Sequence, residues 1–269
     1  MDEYRESNLD LWNNWAQLHI ASDTYHVEAF KAGKNSLTPI ELEELGDVAG
    51  KTLLHLQCHF GKDTMSWARL GATVTGADFS DKAIDIARQL SAELNIPATF
   101  VLSDLYNLPN VLHGEFDIVF TSYGAISWLN DIYEWARIAS HYLKPGGTFY
   151  MAEFHPFAYV FDNSDDGEGL KLAYPYRSDE PLRFETKGSY AAPDADYTGV
   201  EYTWNHSMGD IVTALIQAGL RVEFLHEHFV SVDRMYKAME SVGDGYYQLK
   251  NPLERAAIPH MFSIRAIKE

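Results

Sequence analysis

The stretch LLHLQCHFGKDT, residues 53–64, begins with an apolar run and continues into the first turn of a helix. The run predicts a buried strand, and the helix is expected to begin near Lys62. Gln57, His59 and Gly61 occupy alternate positions of the connecting loop. A helix N-terminus after such a loop has free backbone N–H groups that bind phosphate or carboxylate. The stretch is therefore either a cofactor loop with one remaining glycine or an unrelated turn.

A regular alternation of strands and helices continues from this stretch. Helical patterns of about ten to fifteen residues separate the apolar runs, as expected for right-handed crossovers and a parallel sheet. The sequence predicts an α/β, doubly wound fold with strands at 51–57, 73–78, 98–104, 116–122 and 144–154, and helices at 62–70, 80–94 and 130–142.

The flanking segments differ from this alternation. Helical patterns at 9–30 and 37–46 come before it, and a helix with two closing strands follows it. Between them, a Tyr- and Phe-rich segment with short alternating runs predicts an inserted antiparallel hairpin or lid. The chain is predicted to be one domain: an N-terminal helical cap (1–46), a cofactor-binding half (47–155), the lid (156–203), and a closing helix at 207–219 with strands at 220–229 and 258–268 (204–269).

Composition restricts the class of partner. The 269 residues contain 39 acidic and 21 basic side chains, a net charge of −18. Nucleic-acid binders need basic patches that replace phosphate counterions, so a small-molecule partner is favoured over DNA or RNA. The acidic N-terminal sequence MDEYRESNLD, the single cysteine Cys58 and the lack of an apolar run of 18 residues predict a soluble cytoplasmic protein.

Two acids stand where predicted strands end. Asp78 lies 17 residues after Gly61, where a carboxylate accepts from both ribose hydroxyls of a nucleotide. This position suits nicotinamide dinucleotides and S-adenosylmethionine equally. Asp104 ends the third strand and could accept from an adenine amino group, with the Leu105 backbone N–H beside it. Aromatic residues after the fourth strand and the turn LKPGG before the fifth favour S-adenosylmethionine.

With these features the chain resembles the class I S-adenosylmethionine-dependent methyltransferases, over about 45–155 and the closing helix and strands. The resemblance implies a Rossmann-like seven-stranded sheet with an antiparallel last strand. The sequence differs from the usual family pattern at three positions: His55 replaces an acid, and Gln57 and His59 replace the first two glycines of the loop. A subgroup of the family has loops of this LQCHFG type. The cofactor-binding residues it implies are Gln57, His59, Gly61, Asp78, Phe79, Ser103, Asp104, Leu105, Thr121 and Tyr123.

Three side chains are candidates for catalysis, each with a structural alternative. Tyr123 follows strand four and could position the acceptor or form an aromatic wall. His155 follows strand five and could act as a general base or bond to the backbone of a turn. His206 precedes the closing helix and could act as a base, contact the substrate or have no special role. His19 and Tyr25 could fold over the cofactor or anchor a helix. No metal is predicted, because His55 and His59 lack further ligands.

The predicted reaction is methyl transfer from S-adenosylmethionine to a small-molecule acceptor, on O or N. TSYG after strand four replaces the Asn/Asp-Pro-Pro-aromatic run of amino-methylating nucleic-acid enzymes. The alternatives are an NAD(P)-dependent oxidoreductase, for which a Tyr-x-x-x-Lys pair after strand four is missing, and a non-catalytic S-adenosylmethionine-binding protein. The residues leave open the acceptor, the methylated atom and the oligomeric state.

Overall fold

The computed structural model describes residues 2–162 and 170–269. Residues 163–169, part of the predicted 156–203 insertion, lie outside the described residues. Short 3₁₀ turns occur at Asp23–Tyr25, Leu105–Asn110, Ile126–Trp128 and Pro156–Val160. In chain order the helices are α1 Glu3–Ile20, α2 Val27–Lys31, α3 Pro39–Leu45, α4 Lys62–Arg69, α5 Asp81–Leu94, α6 Ile132–His141, α7 Met208–Gln217 and α8 Pro252–Ala257. The strands are β1 Thr52–Leu56, β2 Thr73–Asp78, β3 Thr99–Leu102, β4 Phe116–Ser122, β5 Leu143–Phe154, β6 Leu182–Lys187, β7 Thr198–Thr203, β8 Leu220–His228, β9 Met239–Gly243, β10 Tyr246–Leu249 and β11 Met261–Lys268.

The predicted fold class is confirmed. Seven strands form one sheet in the order β3-β2-β1-β4-β5-β11-β8. Strands β1 to β5 pair in parallel, whereas β11 is antiparallel to both of its neighbours, β5 and β8. The chain order reverses at β1, between β2 and β4, so the loop after β1 lies at the switch point where ligands bind in open α/β sheets.

Helices cover both faces of this sheet. Leu54 and Leu56 of β1 pack with Trp135 of α6 and Leu215 of α7. Leu53, which precedes them in the strand, packs with Trp67 of α4 on the opposite face. Successive strand residues point to opposite faces, which explains why β1 carries leucines on both of them.

The insertion contains the predicted antiparallel hairpin, formed by β6 and β7. A second hairpin, β9–β10, was not predicted from the sequence. Helix α1 connects the first hairpin to the main sheet: the Asn8 side chain donates to Tyr202 O at 2.7 Å and accepts from Tyr202 N at 2.9 Å. Further along the helix, Asn13 accepts from Ser80 Oγ at 2.6 Å and donates to Asp81 Oδ1 at 2.6 Å. These contacts hold α1 across the carboxyl edge of the sheet, over the switch point.

Candidate cofactor and acceptor sites

The loop after β1 has an unusual backbone. Gln57, His59 and Gly61 have φ angles of 57°, 51° and 76°, all in the left-handed region. Glycine adopts this region freely, whereas other residues lose about 1–2 kcal/mol there. Hydrogen bonds from Cys58 N to Ala77 O and from Gly61 N to Cys58 O, both 2.9 Å long, hold the turn. The loop therefore has left-handed backbone at all three alternate positions, although two of them carry side chains.

The two non-glycine residues connect the loop to its surroundings. Gln57 Nε2 donates to Ala125 O at 2.8 Å, while its Oε1 is buried and has no hydrogen-bond partner in the described part of the chain. The His59 backbone N–H donates to Asp78 Oδ2 at 2.8 Å. The loop is thus tied to the turn after β4 and to the acid at the end of β2, contacts that partly offset the cost of its backbone.

A cleft of about 500 Å³, open to solvent, lies beside this loop. Six of the residues predicted to bind a cofactor line it, namely Gln57, Asp78, Phe79, Ser103, Asp104 and Leu105. The remaining lining residues, not predicted from the sequence, are Arg5, Asn8, Ala77, Tyr106, Trp128 and Leu129.

Asp78 is the buried acid of the cleft. Its Oδ1 accepts from Ser80 N at 2.9 Å and its Oδ2 from His59 N at 2.8 Å. Burial raises the pKa of Asp78 to about 6, against the opposing effect of these backbone N–H groups. Each carboxylate oxygen has a second lone pair, so the side chain can still accept from two hydroxyl groups of a ligand.

Asp104 lies at the far end of the cleft, under helix α1. Its Oδ1 accepts from Tyr106 N at 2.9 Å and from Arg5 Nη1 at 3.2 Å. The Arg5 guanidinium also lies 5.3 Å from the centre of the Tyr106 ring. Arg5 is 99 residues away in the chain, and no local pattern indicated this contact.

His55, at the position of the missing acid, belongs to a buried polar group. Its Nδ1 is hydrogen-bonded to Thr64 Oγ1 at 2.9 Å and its Nε2 to Ser122 Oγ at 3.4 Å. Ser122 Oγ also donates to Asp63 Oδ2 at 3.3 Å, and Ser36 Oγ donates to Asp63 Oδ1 at 2.6 Å. Burial lowers the pKa of His55 to about 4, although the Asp63 charge opposes the shift. A carboxylate is therefore present one serine away from the residue that replaces the acid.

Glu153 of β5 orders the turn after β4. Its carboxylate accepts from the backbone N–H groups of Gly124, Ala125 at 2.7 Å, and Ile126 at 3.2 Å. Burial raises the pKa of Glu153, and these hydrogen bonds lower it. This turn includes Ala125, whose carbonyl accepts the hydrogen bond from Gln57, and it continues to Trp128, which lines the cleft. Glu153 therefore positions part of the cleft indirectly.

Two of the predicted cofactor-binding residues, Tyr123 and Thr121, do not line the cleft. The Tyr123 hydroxyl is hydrogen-bonded to Thr38 Oγ1 at 3.2 Å, and burial raises its pKa well above the usual value. Its ring lies 6.0 Å from that of Phe154. Thr121 is fully buried in β4, and no described residue forms a hydrogen bond with its Oγ1. Neither residue lines the cleft, so binding of the cofactor by Tyr123 and Thr121 stays a prediction.

The two candidate bases have different surroundings. His155 Nδ1 accepts from Phe157 N at 3.0 Å and its Nε2 donates to Glu227 Oε1 at 3.0 Å, so both nitrogens are engaged. This matches the structural alternative, a histidine bonded to the backbone of its turn. His206 Nε2 donates to Leu129 O at 2.8 Å, and burial lowers the pKa of the ring. His206 lines a second cleft of about 240 Å³, together with Ile126, Ser127, Phe154, Pro156, Tyr159, Trp204 and Asn205.

Comparison with known proteins identifies the domain. A sequence model described as a methyltransferase domain matches residues 53–147, from β1 into β5. The chain is thus similar to methyltransferase domains over this range. It is 35% identical over 126 residues to an uncharacterized methyltransferase of Synechocystis sp., covering 46% of this chain and 56% of that protein. It is 27% identical over 137 residues to the ubiquinone biosynthesis O-methyltransferase of Proteus mirabilis, covering 49% and 56%. The chain thus spans about half the length of these relatives.

Solved structures of methyltransferases share the fold. An S-adenosylmethionine-dependent methyltransferase from Mesorhizobium loti superposes with a TM-score of 0.58 at 21% identity, over 88% of this chain and all of that one (100%). The glycopeptide N-methyltransferase MtfA complexed with S-adenosylmethionine gives 0.54 at 17% identity, over 84% and 90%. At these identities the similarity concerns the methyltransferase fold alone.

The described part of the chain has neither a membrane-spanning helix nor a cluster of metal ligands. Within residues 2–162 and 170–269, no helix has the length and apolar character needed to cross a membrane. In the same ranges, no three His, Cys, Asp or Glu side chains are grouped so that they could hold a metal ion.

Proposed function

We propose that the protein transfers a methyl group from S-adenosylmethionine to a small-molecule acceptor, on O or N. The observation that carries this proposal is the left-handed backbone at Gln57, His59 and Gly61, beside the buried carboxylate of Asp78. A loop of this shape lets backbone approach a bound ligand closely at the switch point of the sheet. We also propose that the protein is cytoplasmic, because its single cysteine, Cys58, is a free thiol, as is usual in a reducing compartment.

The residues of the cleft suit this cofactor. Asp78 keeps lone pairs for the ribose hydroxyls, and Leu105 and Asp104 lie beyond it at the predicted adenine end. When bound, S-adenosylmethionine supplies an electrophilic methyl group for direct displacement. The task of this chain is to bind both reactants, align them and exclude water. Helix α1 contributes to the last of these by placing Arg5 and Asn8 over the cleft.

Several observations favour a small acceptor. The net charge of −18 disfavours a polyanionic substrate. The hairpin β6–β7 and helix α1 are joined through Asn8, so they restrict the space above the carboxyl edge. The relatives include a ubiquinone biosynthesis O-methyltransferase, and the structural neighbours include a glycopeptide N-methyltransferase, so both O and N acceptors occur among similar proteins.

The acceptor class is tested by label transfer. The full chain is incubated with methyl-tritiated S-adenosylmethionine and, separately, with a panel of phenols and amines, with bulk tRNA and with duplex DNA. Label in a small molecule is the expected result. Label found in nucleic acid alone would overturn the proposal. Binding of the cofactor with no transfer to any acceptor would instead support the non-catalytic alternative.

We expect Asp63 to replace the missing acid as the carboxylate that contacts the methionine ammonium. It lies one serine away from His55, and within residues 2–162 and 170–269 its two oxygens accept from the Ser36 and Ser122 hydroxyls. Asp63→Asn should weaken binding of S-adenosylhomocysteine about tenfold or more, because hydrogen bonds to charged groups contribute about 1.5–3 kcal/mol. Calorimetric titration provides the measurement.

The control ligand is 5′-methylthioadenosine, which lacks the amino-acid part. Its affinity should be the same for the wild-type chain and Asp63→Asn. An equal loss for both ligands would show that Asp63 only supports the loop. In the double variant His55→Asp/Asp63→Asn, a carboxylate returns to the usual position, and we expect affinity for S-adenosylhomocysteine to recover in part.

A further inference from the structure

A cluster of aromatic and imidazole rings lies next to the cofactor cleft. Its members, which we call the ring cluster, are Trp12, Trp15, His19, Tyr25, His59 and Tyr190. They come from α1, the turn after it, the β1 loop and the turn between β6 and β7. The cluster meets the cleft at Trp128, which lines the cleft and lies 5.2 Å from Trp12, centre to centre.

His19 is at the centre of the ring cluster. Its ring centre lies 4.7 Å from that of Tyr190, 4.9 Å from that of Tyr25 and 5.2 Å from that of His59. Trp15 is 5.8 Å away. Aromatic rings surround His19 on several sides, which is a suitable environment for a planar ligand that stacks or packs edge to face.

Three imidazole nitrogens of the ring cluster have no hydrogen-bond partner among the described residues. His19 is completely buried, at 0% exposure, yet neither of its ring nitrogens has a hydrogen-bond partner among the described residues. His59 Nε2, beside it, is also buried without such a partner. A buried polar atom without a partner loses about 1–3 kcal/mol, and such atoms in a folded protein need an explanation. A ligand that hydrogen-bonds to them supplies one.

The charge of the surroundings restricts the ligand. Burial lowers the pKa of His19 to about 3 and that of His59 well below its usual value, so both rings are neutral at pH 7. The Lys62 ammonium lies 5.5 Å from the centre of the Tyr25 ring and donates to Tyr25 O. This charge would repel a cationic ligand, whereas a neutral hydroxyl can donate to an unprotonated imidazole.

The outer side of the cluster is formed by its most exposed residue. Tyr190 is 53% exposed and lies in the turn of the β6–β7 insertion. Its hydroxyl is hydrogen-bonded to that of Tyr25. Displacement of this one ring would open the cluster to His19 without disturbing the main sheet, because Tyr190 is on the inserted hairpin turn.

We infer that the ring cluster is the acceptor subsite, and that it binds a neutral aromatic compound whose hydroxyl donates to the His19 imidazole. The inference rests on the proposed function, since Trp128 connects the subsite to the cofactor cleft. It names the acceptor as a phenol-type compound rather than an amine or a quaternary ammonium ion. His59 Nε2 provides a second contact for a polar group on the same ring.

The test compares three ligands with one ring and different substituents. Phenol, anisole and phenyltrimethylammonium are titrated into the full chain labelled with ¹⁵N-histidine, with and without S-adenosylhomocysteine. Phenol should shift the ring nitrogens of His19 saturably and bind about tenfold more tightly than anisole, which has no donor. If the wild-type protein binds phenol and anisole equally well, or binds phenyltrimethylammonium more tightly than phenol, the inference is wrong.

Two variants test whether the preference for phenol over anisole depends on His19. His19→Phe keeps an aromatic ring of similar size and should lose the preference for phenol over anisole. The matched control His141→Phe changes an exposed histidine at the end of α6 and should keep the preference. Retention of the tenfold preference in His19→Phe would contradict the inference. If S-adenosylhomocysteine does not bind at all while phenol shifts His19, the proposed function fails and the aromatic site remains.

Discussion

Replacement of Gly61 by alanine should destabilise the protein by about 3 kcal/mol or more. A Cβ atom at this position would lie 2.6 Å from Phe100 Cζ and 3.2 Å from Ala87 Cβ, on backbone with a φ of +76°. Phe100 is itself in the core with Ile84, so its ring has little room to shift. The free energy of unfolding, measured by urea denaturation followed by circular dichroism, gives the size of the loss.

Gly50→Ala separates the two causes of this loss. Gly50 has a φ of +73°, almost the same backbone conformation, but a Cβ there would have nothing within 4 Å. We therefore expect Gly50→Ala to cost only about 1 kcal/mol, the effect of the backbone alone. Similar losses for the two variants would show that the close packing of the loop against Phe100 does not determine its sequence.

Removal of the Asp78 carboxylate should cause the largest loss of cofactor affinity. Asp78→Ala removes the acceptor for two ribose hydroxyls and leaves the His59 and Ser80 backbone N–H groups without their partner. At about 1.5–3 kcal/mol for a hydrogen bond to a charged group, the affinity for S-adenosylhomocysteine should fall about 100-fold. The control is Asp85→Asn, which changes an exposed acid on α5, the helix that follows Asp78 in the chain. This variant should bind S-adenosylhomocysteine as the wild type does.

The pH dependence has a definite direction. Because the pKa of Asp78 is raised to about 6 by burial, binding that needs its charged form should weaken as the pH falls through 6. Its effect on stability has the opposite sign. Between pH 4 and 6 the folded state holds a proton that the unfolded state has released, so this residue contributes less stability as the pH rises. In Asp78→Asn both dependences should disappear; a wild-type pH profile of binding in that variant would contradict the role assigned to Asp78.

Much of the fold could be predicted because its signals are local. Each strand from β1 to β5 is an apolar run that ends near a turn residue, and the helices between them have caps such as Ser80. The carboxyl ends of neighbouring parallel strands meet, so the sequence could also place Asp78, Asp104 and Gln57 near one another. The structure brings these three side chains to one cleft. Their binding of a cofactor stays a prediction.

The remaining parts of the site depend on long-range packing. Arg5 reaches Asp104 only because Asn8 and Asn13 hold α1 across the carboxyl edge, and no periodicity in α1 shows that position. The role of Asp63 depends on its distance from Ser122, 59 residues later. The hairpin β9–β10 was missed because residues 230–257 carry no strong alternation. His155 shows the converse case: its sequence position next to strand five suggested a base, but its two nitrogens are used by Phe157 and Glu227.

Binding of the cofactor is the claim on which the other proposals depend. Calorimetric titration of the full chain with S-adenosylhomocysteine, with NAD as the control ligand, tests it most directly. The structure predicts micromolar binding of S-adenosylhomocysteine and no binding of NAD. Absence of binding by S-adenosylhomocysteine, or equal binding of NAD, would show that the side chains in place of the two glycines have removed the function while the fold was kept.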